Sequence, residues 1–249
     1  MVLVAAAGFG LLVGSFLNVC IWRLPRGLSL VAPRSSCPAC ERVLDWWELV
    51  PVLSYIALGG RCKTCRARIS PVYPLVEVCN ALAYVAALWS WGWSPGALSV
   101  AVLGSFLIVS GVTDARHQLI PDAVTLPGIV VGLVLSSLNP GVGLVNALLG
   151  LAAGGGFLLI VAMVTSGGMG GGDIKLAAMM GAFLGWKGLV IALLSGFVVG
   201  AVVAVGLMLA GAKKRRDLMP FGPFLALGGL IASFFGQAVV SWYLGAFWN

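Results

Sequence analysis

Long apolar runs, separated by short polar segments, dominate the chain. A membrane-spanning helix needs about 20 apolar residues, and this length divides the sequence into eight candidate spans. They are residues 2–22, 73–91, 97–113, 123–138, 142–165, 174–186, 189–210 and 221–247. The pattern predicts an all-α polytopic membrane protein with about eight transmembrane helices. Because the sixth run is too short to cross a hydrocarbon core of about 30 Å, we expect its beginning, at Asp173, to lie below the membrane surface.

The composition supports a membrane location. Of the 249 residues, 60% are hydrophobic and 9% are charged, whereas about one quarter of the residues of soluble proteins are charged. Residues 1–19 carry no charge, so they lack the basic start of a signal peptide and we expect the first helix to be retained. The many glycines are interpreted as residues of close helix packing and of helix breaks. Cys20 and Cys79 lie within apolar spans, where we expect small buried packing residues.

Basic residues are distributed unequally between the two sets of loops. Fourteen of the fifteen lie in or beside one set, which comprises residues 23–72, 113–122, 166–173 and 213–216; the other side holds Lys187. The positive-inside rule therefore predicts that the first set is cytoplasmic and that both termini face outward. Since the basic residues act as topology determinants, the net charge of +7 does not predict nucleic-acid binding, and the expected partner is the lipid bilayer.

Four cysteines form two C-x-x-C pairs in the loop 23–72, Cys37 with Cys40 and Cys62 with Cys65. This spacing approaches that of a zinc ribbon, in which four thiolates surround the metal. Two disulfides are the alternative, but a cytoplasmic loop is kept reduced. We therefore predict a structural zinc site in a zinc-ribbon-like loop domain between the first two helices. A zinc ion held by four cysteines has no open position, so it would fold the loop and not activate water.

Carboxylates beside membrane spans are functional candidates, because burying an ion in a bilayer costs much free energy. Asp122 opens the fourth span after a proline, where a helix N-terminal acid satisfying free backbone N–H groups is expected. Glu77 lies one turn inside the second span. It is a candidate to pair with a basic group of the loop or to contact a substrate.

Asp114 follows the third span, and Asp173 ends the glycine-rich stretch 167–173. The glycines permit positive φ angles and close approach of the backbone, although Asp173 alone also fits a helix N-cap. Both aspartates lie on the same side of the eight-span topology. Two carboxylates held close together share a proton, so that one serves as a base on water and the other as an acid. The single histidine, His117, fits a role in tuning the turn better than a place in a catalytic triad.

At this point the sequence resembles the bacterial type IV prepilin peptidases over nearly the whole chain. The motifs that carry the resemblance are GSFLNV at 14–19 with RLP at 23–25, the paired-cysteine loop, YPLVE at 73–77, LIPD at 119–122 with TLP at 125–127, GGGDIKL at 170–176 and PFGPF at 220–224. Each motif alone is weak, but their order together with the eight-span topology is specific.

The resemblance implies a G-x-G-D membrane aspartic peptidase of the bacterial inner membrane, whose two aspartates correspond to Asp114 and Asp173. Gly170, Gly172 and Lys175 would belong to the active-site loop. The implied substrates are type IV prepilins and pilin-like secretion subunits (pseudopilins), which are cut on the cytoplasmic side after a glycine, between a short basic leader and an apolar helix. Many family members then methylate the new N-terminal amine with S-adenosylmethionine.

The same comparison of motifs suggests three parts: a first helix (1–22), the cysteine loop domain (23–72) and a seven-helix peptidase domain (73–249). One position departs from the family pattern, since Gly168 stands where an acidic residue is often found. No glycine-rich dinucleotide motif follows a soluble strand, so the sequence assigns no residues to S-adenosylmethionine. A small proton- or ion-coupled transporter, or a non-catalytic scaffold, is the alternative function.

Overall fold

The computed structural model describes residues 1–165, 169–212 and 219–247, and within these ranges the regular structure is helical. The α-helices are α1 (Val2–Arg23), α2 (Leu53–Ala57), α3 (Val72–Trp91), α4 (Pro95–His117), α5 (Asp122–Leu138), α6 (Leu144–Val164), α7 (Gly171–Leu209) and α8 (Gly222–Phe247). Short 3₁₀ turns occur at Leu24–Arg26 and Trp46–Leu49. The extended pairing described is limited to two isolated bridges in the cysteine loop.

The predicted all-α polytopic fold is confirmed. Among the described helices, α1, α3, α4, α6 and α7 are long and apolar enough to cross a membrane, and α5 and the described part of α8 are shorter apolar helices. The seventh helix is interrupted at Gly185, whose φ of 67° and ψ of 176° are not helical. Glycine suits this site because a side chain disfavours positive φ. The break separates segments 171–184 and 186–209, as the sixth and seventh predicted spans require, and the loop 213–216 lies outside the described residues.

Helix α4 is at the centre of the bundle and packs against α1, α3, α5, α7 and α8. Small residues allow the closest helix contacts, because lipid offers no hydrophobic driving force between helices and dispersion contacts favour close approach. On α6, Gly150 and Gly154 lie against Gly181 and Ala177 of α7. The interpretation of glycines as packing residues is therefore confirmed at these positions.

Buried polar side chains join the helices. Asn80 on α3 donates from Nδ2 to the carbonyl of Gly10 on α1 (2.7 Å) and accepts from the hydroxyl of Ser105 on α4 (2.8 Å). On α5, Ser136 donates to the carbonyl of Ala182 in the last turn before the α7 break (2.8 Å). These bonds satisfy polar groups that lipid cannot solvate.

The cysteine loop is tied both to itself and to the membrane helices. Arg42 donates to both carboxylate oxygens of Glu48 (2.7 and 2.8 Å), and this hydrogen bonding lowers the pKa of Glu48. Glu77 on α3 is buried, and its Oε2 accepts from the backbone N–H of Val52 in the loop (2.8 Å). Its Oε1 also accepts from Nδ2 of Asn18 on α1 (3.5 Å), so Glu77 joins the loop and α1 through neutral donors and not through a basic group of the loop.

Candidate active site and metal centre

Asp114 lies in the last turn of α4 and is only 7% exposed. Its Oδ2 accepts a hydrogen bond from the backbone N–H of Gly222 (2.8 Å). Gly222 is the first residue of α8, and the first N–H groups of a helix have no partner within the helix. The start of α8 therefore fixes the carboxylate of Asp114.

Glycine is required at position 222 because of this contact. A Cβ atom there would lie 2.8 Å from Oδ2 of Asp114 and 2.9 Å from its Cβ. Sequence reasoning recorded Gly222 within the PFGPF motif but assigned it no contact. Asp114 and Gly222 are 108 positions apart, so the PFGPF motif is the only sign in the sequence that Gly222 has a functional role.

Asp173 is the third residue of α7 and is half-buried. Its backbone N–H donates to the carbonyl of Gly170, the residue before the helix (3.1 Å). Its Oδ1 is buried and has no hydrogen-bond partner among the described residues. The structure brings Asp173 close enough to Asp114 for their carboxylate charges to interact. A fixed and an unpaired carboxyl group therefore meet at one end of the helix bundle.

The glycines before Asp173 contribute close packing and not unusual backbone angles. Gly170 has a φ of −72°, and Gly171 and Gly172 are not among the residues of positive φ. The positive φ angles that glycine permits are therefore not used at Gly170, Gly171 or Gly172. At Gly172, a Cβ atom would lie 2.9 Å from Cβ of Ile120, so glycine allows α7 to begin directly against the turn before α5.

Lys175 lies in the second turn of α7 and bonds both carboxylate oxygens of Asp122 at the start of α5 (2.6 and 2.7 Å). The N-cap of α5 is Pro121, so Asp122 is a first-turn acid and not the cap. Sequence reasoning missed this ion pair, because nothing local connects residues 53 positions apart. His117 is exposed at the end of α4, and Gly168 lies outside the described residues.

The four predicted cysteines come together in the loop. The sulfur atoms of Cys37, Cys40, Cys62 and Cys65 all lie within 4.8 Å of one another, and those of Cys37 and Cys65 are 3.8 Å apart. All four cysteines are free of disulfides. The cluster is therefore able to hold a metal ion.

Each cysteine pair is presented by the same kind of turn. The N–H of Glu41 donates to the carbonyl of Cys37 (2.8 Å), and the N–H of Arg66 donates to that of Cys62 (3.1 Å). Glu41 and Arg66 both have positive φ, 57° and 60°. Hydrogen bonds from the backbone N–H groups of Cys65 and then Thr64 lower the pKa of the Cys62 thiol to about 6. Burial and hydrogen bonds with the neighbouring thiols raise the pKa of Cys65, so Cys62 is the more readily ionised of the two, and the thiolate is the form that binds metal.

The two remaining cysteines differ from each other. Cys20 on α1 is buried, as expected. Cys79 on α3 is exposed, so the expectation that it is a buried packing residue is wrong. Cys79 lies on the face of an apolar helix that the other described helices leave uncovered.

Comparison with known proteins covers almost the whole chain. Residues 9–91 match the family model of the bacterial peptidase A24 N-terminal domain, and residues 101–205 match that of the type IV leader peptidase family. The prepilin leader peptidase/N-methyltransferase of Bacillus subtilis (strain 168) is 39% identical over 239 residues, which cover 95% of each chain. Proteins of the same description from Pseudomonas aeruginosa and Aeromonas hydrophila are each 37% identical, over 94% and 96% of this chain and 91% and 92% of their own lengths. No solved structure matches the chain.

Proposed function

The chain belongs to the type IV leader peptidase family, and from this premise we propose that Asp114 and Asp173 are the catalytic pair with which it cleaves prepilins. The enzyme removes the leader peptide and N-methylates the new N-terminal residue, as the description of its relatives indicates. The substrates are prepilins and pseudopilins, cut after a glycine between a short basic leader and an apolar helix. The relatives do not support the alternative of a transporter.

One observation carries the assignment of the pair: carboxylates from two different helices lie near enough at one end of the bundle for their charges to interact, one held by Gly222 and the other with an unpaired oxygen. In the proposed reaction one carboxylate takes a proton from water while the water oxygen attacks the scissile carbonyl carbon. The other carboxyl group protonates the leaving nitrogen as the C–N bond breaks. The substrate backbone lies over the turn from Gly170 to Gly172, with Lys175 beside it.

We propose that the metal of the cysteine cluster is zinc. With a Zn–S bond of about 2.3 Å, tetrahedral geometry places two sulfurs about 3.8 Å apart, and Cys37 and Cys65 have this separation. A disulfide would require about 2.05 Å. Four thiolates leave no position for water, so the role of the zinc is to stabilise the loop fold. Residues 23–72 then form a domain of their own between the first helix (1–22) and the peptidase domain (73–249).

S-adenosylmethionine, when bound, supplies the methyl group of the second reaction, and we assign no residue of this chain to it. The enzyme lies in the bacterial inner membrane. The distribution of basic residues supports an orientation in which the cysteine loop and the aspartate pair are cytoplasmic and both termini face outward. The leader, which is basic, then remains on the cytoplasmic side.

The test compares the intact enzyme with Asp114→Asn and Asp173→Asn in membranes that contain a full-length prepilin. Asparagine keeps the shape of each side chain but cannot exchange the required proton. We expect cleavage, measured by the mass of the product, only with the intact enzyme, and equal amounts of all three proteins in the membrane. Cleavage by either variant at the rate of the intact enzyme would remove that aspartate from the mechanism.

A further inference from the structure

A lateral cleft lies between α1 and α5. Both helices pack against α4, but they make few contacts with each other. Between α1 and α5 the described helices leave Val102 and Phe106 of α4 partly exposed. We call this feature the α1–α5 cleft.

The α1–α5 cleft contains an apolar cavity of about 320 Å³, lined by residues of α1, α4 and α5, by Tyr84 of α3 and by Leu24 and Leu30 of the segment that follows α1. This is about twice the volume of an engineered apolar cavity of about 150 Å³ that binds benzene. The two hydroxyl groups in its lining, those of Tyr84 and Ser105, bond to each other (3.2 Å). The cavity therefore offers room for two large apolar side chains and little polar surface.

The cleft lies close to the aspartate pair along the axis of α4, although the carboxylate of Asp114 faces α8 and not the cleft. Val109 lines the cavity on α4, and Asp114 follows five residues later, about 7.5 Å along the helix axis. Ala123 lines the cavity at the start of α5. Its neighbour Asp122 is bonded to Lys175, two residues after Asp173.

We propose that the α1–α5 cleft binds the apolar helix of the prepilin, at the residues that follow the cleaved bond. This inference rests on the proposed function, which supplies a substrate with an apolar helix beside the scissile bond. The cleft fits that occupant because it is apolar, opens sideways from the bundle and lies about 7.5 Å along the axis of α4 from Asp114.

Photo-crosslinking tests the position of the substrate. Val13 of α1 lines the cavity, and Val78 of α3 does not. The two residues lie at the same depth, because Gly14 faces Glu77 and Gly10 faces Ala81 across these antiparallel helices. Benzoylphenylalanine is placed at either position in the Asp173→Asn enzyme, in vesicles with full-length prepilin. We expect a prepilin adduct, mapped to the start of its apolar helix, from position 13 and not from position 78. Equal adducts from both positions, or only phospholipid adducts from position 13, would overturn the proposal.

A variant that narrows the cleft gives a second readout. Ala123 is exposed, so Ala123→Trp should fill the mouth of the cleft without disturbing the core. We expect a higher KM for prepilin with little change in kcat, because the cleft would bind the substrate equally in the ground state and in the transition state. The control Ala153→Trp, at an exposed position of α6, should leave both unchanged. If the intact enzyme cleaves prepilin but neither test finds it in the cleft, the cleft assignment fails alone. An adduct at position 13 together with no cleavage of the same prepilin by the intact enzyme would overturn the peptidase assignment.

Discussion

At the scale of single residues, the two carboxyl groups of the site have unlike surroundings. Asp114 is held by the N–H of Gly222, whereas Oδ1 of Asp173 is buried without a partner among the described residues. A buried unpaired polar atom costs free energy, so such atoms are retained where a ligand or a reaction uses them. Asp173 is therefore the member of the pair with an oxygen available to water or to the substrate.

Gly222→Ala should lower kcat. The added Cβ would lie 2.8 Å from Oδ2 of Asp114 and would force the carboxylate away from the N–H group. A displacement of about 1 Å in an active site can cost about 100-fold in rate, so we expect a fall of about that size, with KM for prepilin little changed. Initial rates of prepilin cleavage measure both constants.

Gly156→Ala is the matched control for Gly222→Ala, since a Cβ at Gly156 on α6 would meet no atom within 4 Å. This variant should cleave prepilin at the rate of the intact enzyme. Unchanged kcat in Gly222→Ala would show that the contact with α8 does not position Asp114.

At the scale of elements, the cysteine loop depends on a small number of contacts. Its regular structure is limited to one five-residue helix, two short 3₁₀ turns and two isolated bridges. So small a domain has little hydrophobic core, and a structural metal commonly provides the missing stability. The bond between Glu77 and the N–H of Val52 then fixes the folded loop to α3.

Cys62→Ser should release the metal and unfold the loop. We expect about one zinc per chain in the intact protein, less in this variant, and faster cutting of the loop 23–72 by trypsin. Methylation should decline more than prepilin cleavage, because the aspartate pair lies outside the loop. Metal analysis of the purified proteins measures the zinc content. The control is Cys79→Ser, which alters an exposed cysteine outside the cluster and should keep its zinc. An intact protein that contains no zinc would contradict the assignment.

The break in α7 provides another prediction at this scale. Ser136→Ala removes the hydroxyl that bonds the carbonyl of Ala182 just before Gly185. Hydrogen bonds between membrane helices contribute about 0.6 to 1.7 kcal/mol, and we expect the free energy of unfolding in mixed micelles to fall by about that amount. Ser137→Ala is the control, because it removes a hydroxyl that bonds only to the carbonyl of Val134 in the same helix, at an exposed position. We expect a smaller loss of stability in this variant. An equal loss in both variants would show that the bond across to α7 has no particular role.

The elements could be predicted from the sequence because each long apolar run is itself the signal for a helix. Even the α7 break was expected between residues 186 and 189, close to Gly185. Contacts between elements could not be predicted, since the partners lie far apart in the chain. Lys175 and Asp122 are separated by 53 residues, and Glu77 and Val52 by 25. The cysteine cluster is the exception, because metal ligation imposes a spacing that is visible in the sequence.

At the scale of the whole molecule, the bundle has two sides joined by α4. Helices α1 and α3 and the cysteine loop belong to the part that matches the N-terminal family model, whereas α5, α6 and much of α7 belong to the part that matches the peptidase model. The N-terminal part thus contributes one wall of the α1–α5 cleft, and the peptidase part contributes the other wall and both aspartates. A substrate helix in the cleft would contact both parts while its scissile bond reaches the aspartates.

The orientation of the molecule decides whether this arrangement can process a leader left on the cytoplasmic side. Two variants, each with one introduced cysteine, test the orientation. Val31→Cys lies in the loop between α1 and α3, and Pro140→Cys lies in the turn between α5 and α6. Both replace exposed residues. In a Cys20→Ser, Cys79→Ser background that keeps the metal cluster, a membrane-impermeant maleimide should label position 140 in right-side-out vesicles. Position 31 should be labelled only after the vesicles are opened, because fourteen basic residues favour the cytoplasmic side for that loop set. The reverse pattern would place the aspartate pair on the outer face, where it could not reach a basic leader retained in the cytoplasm.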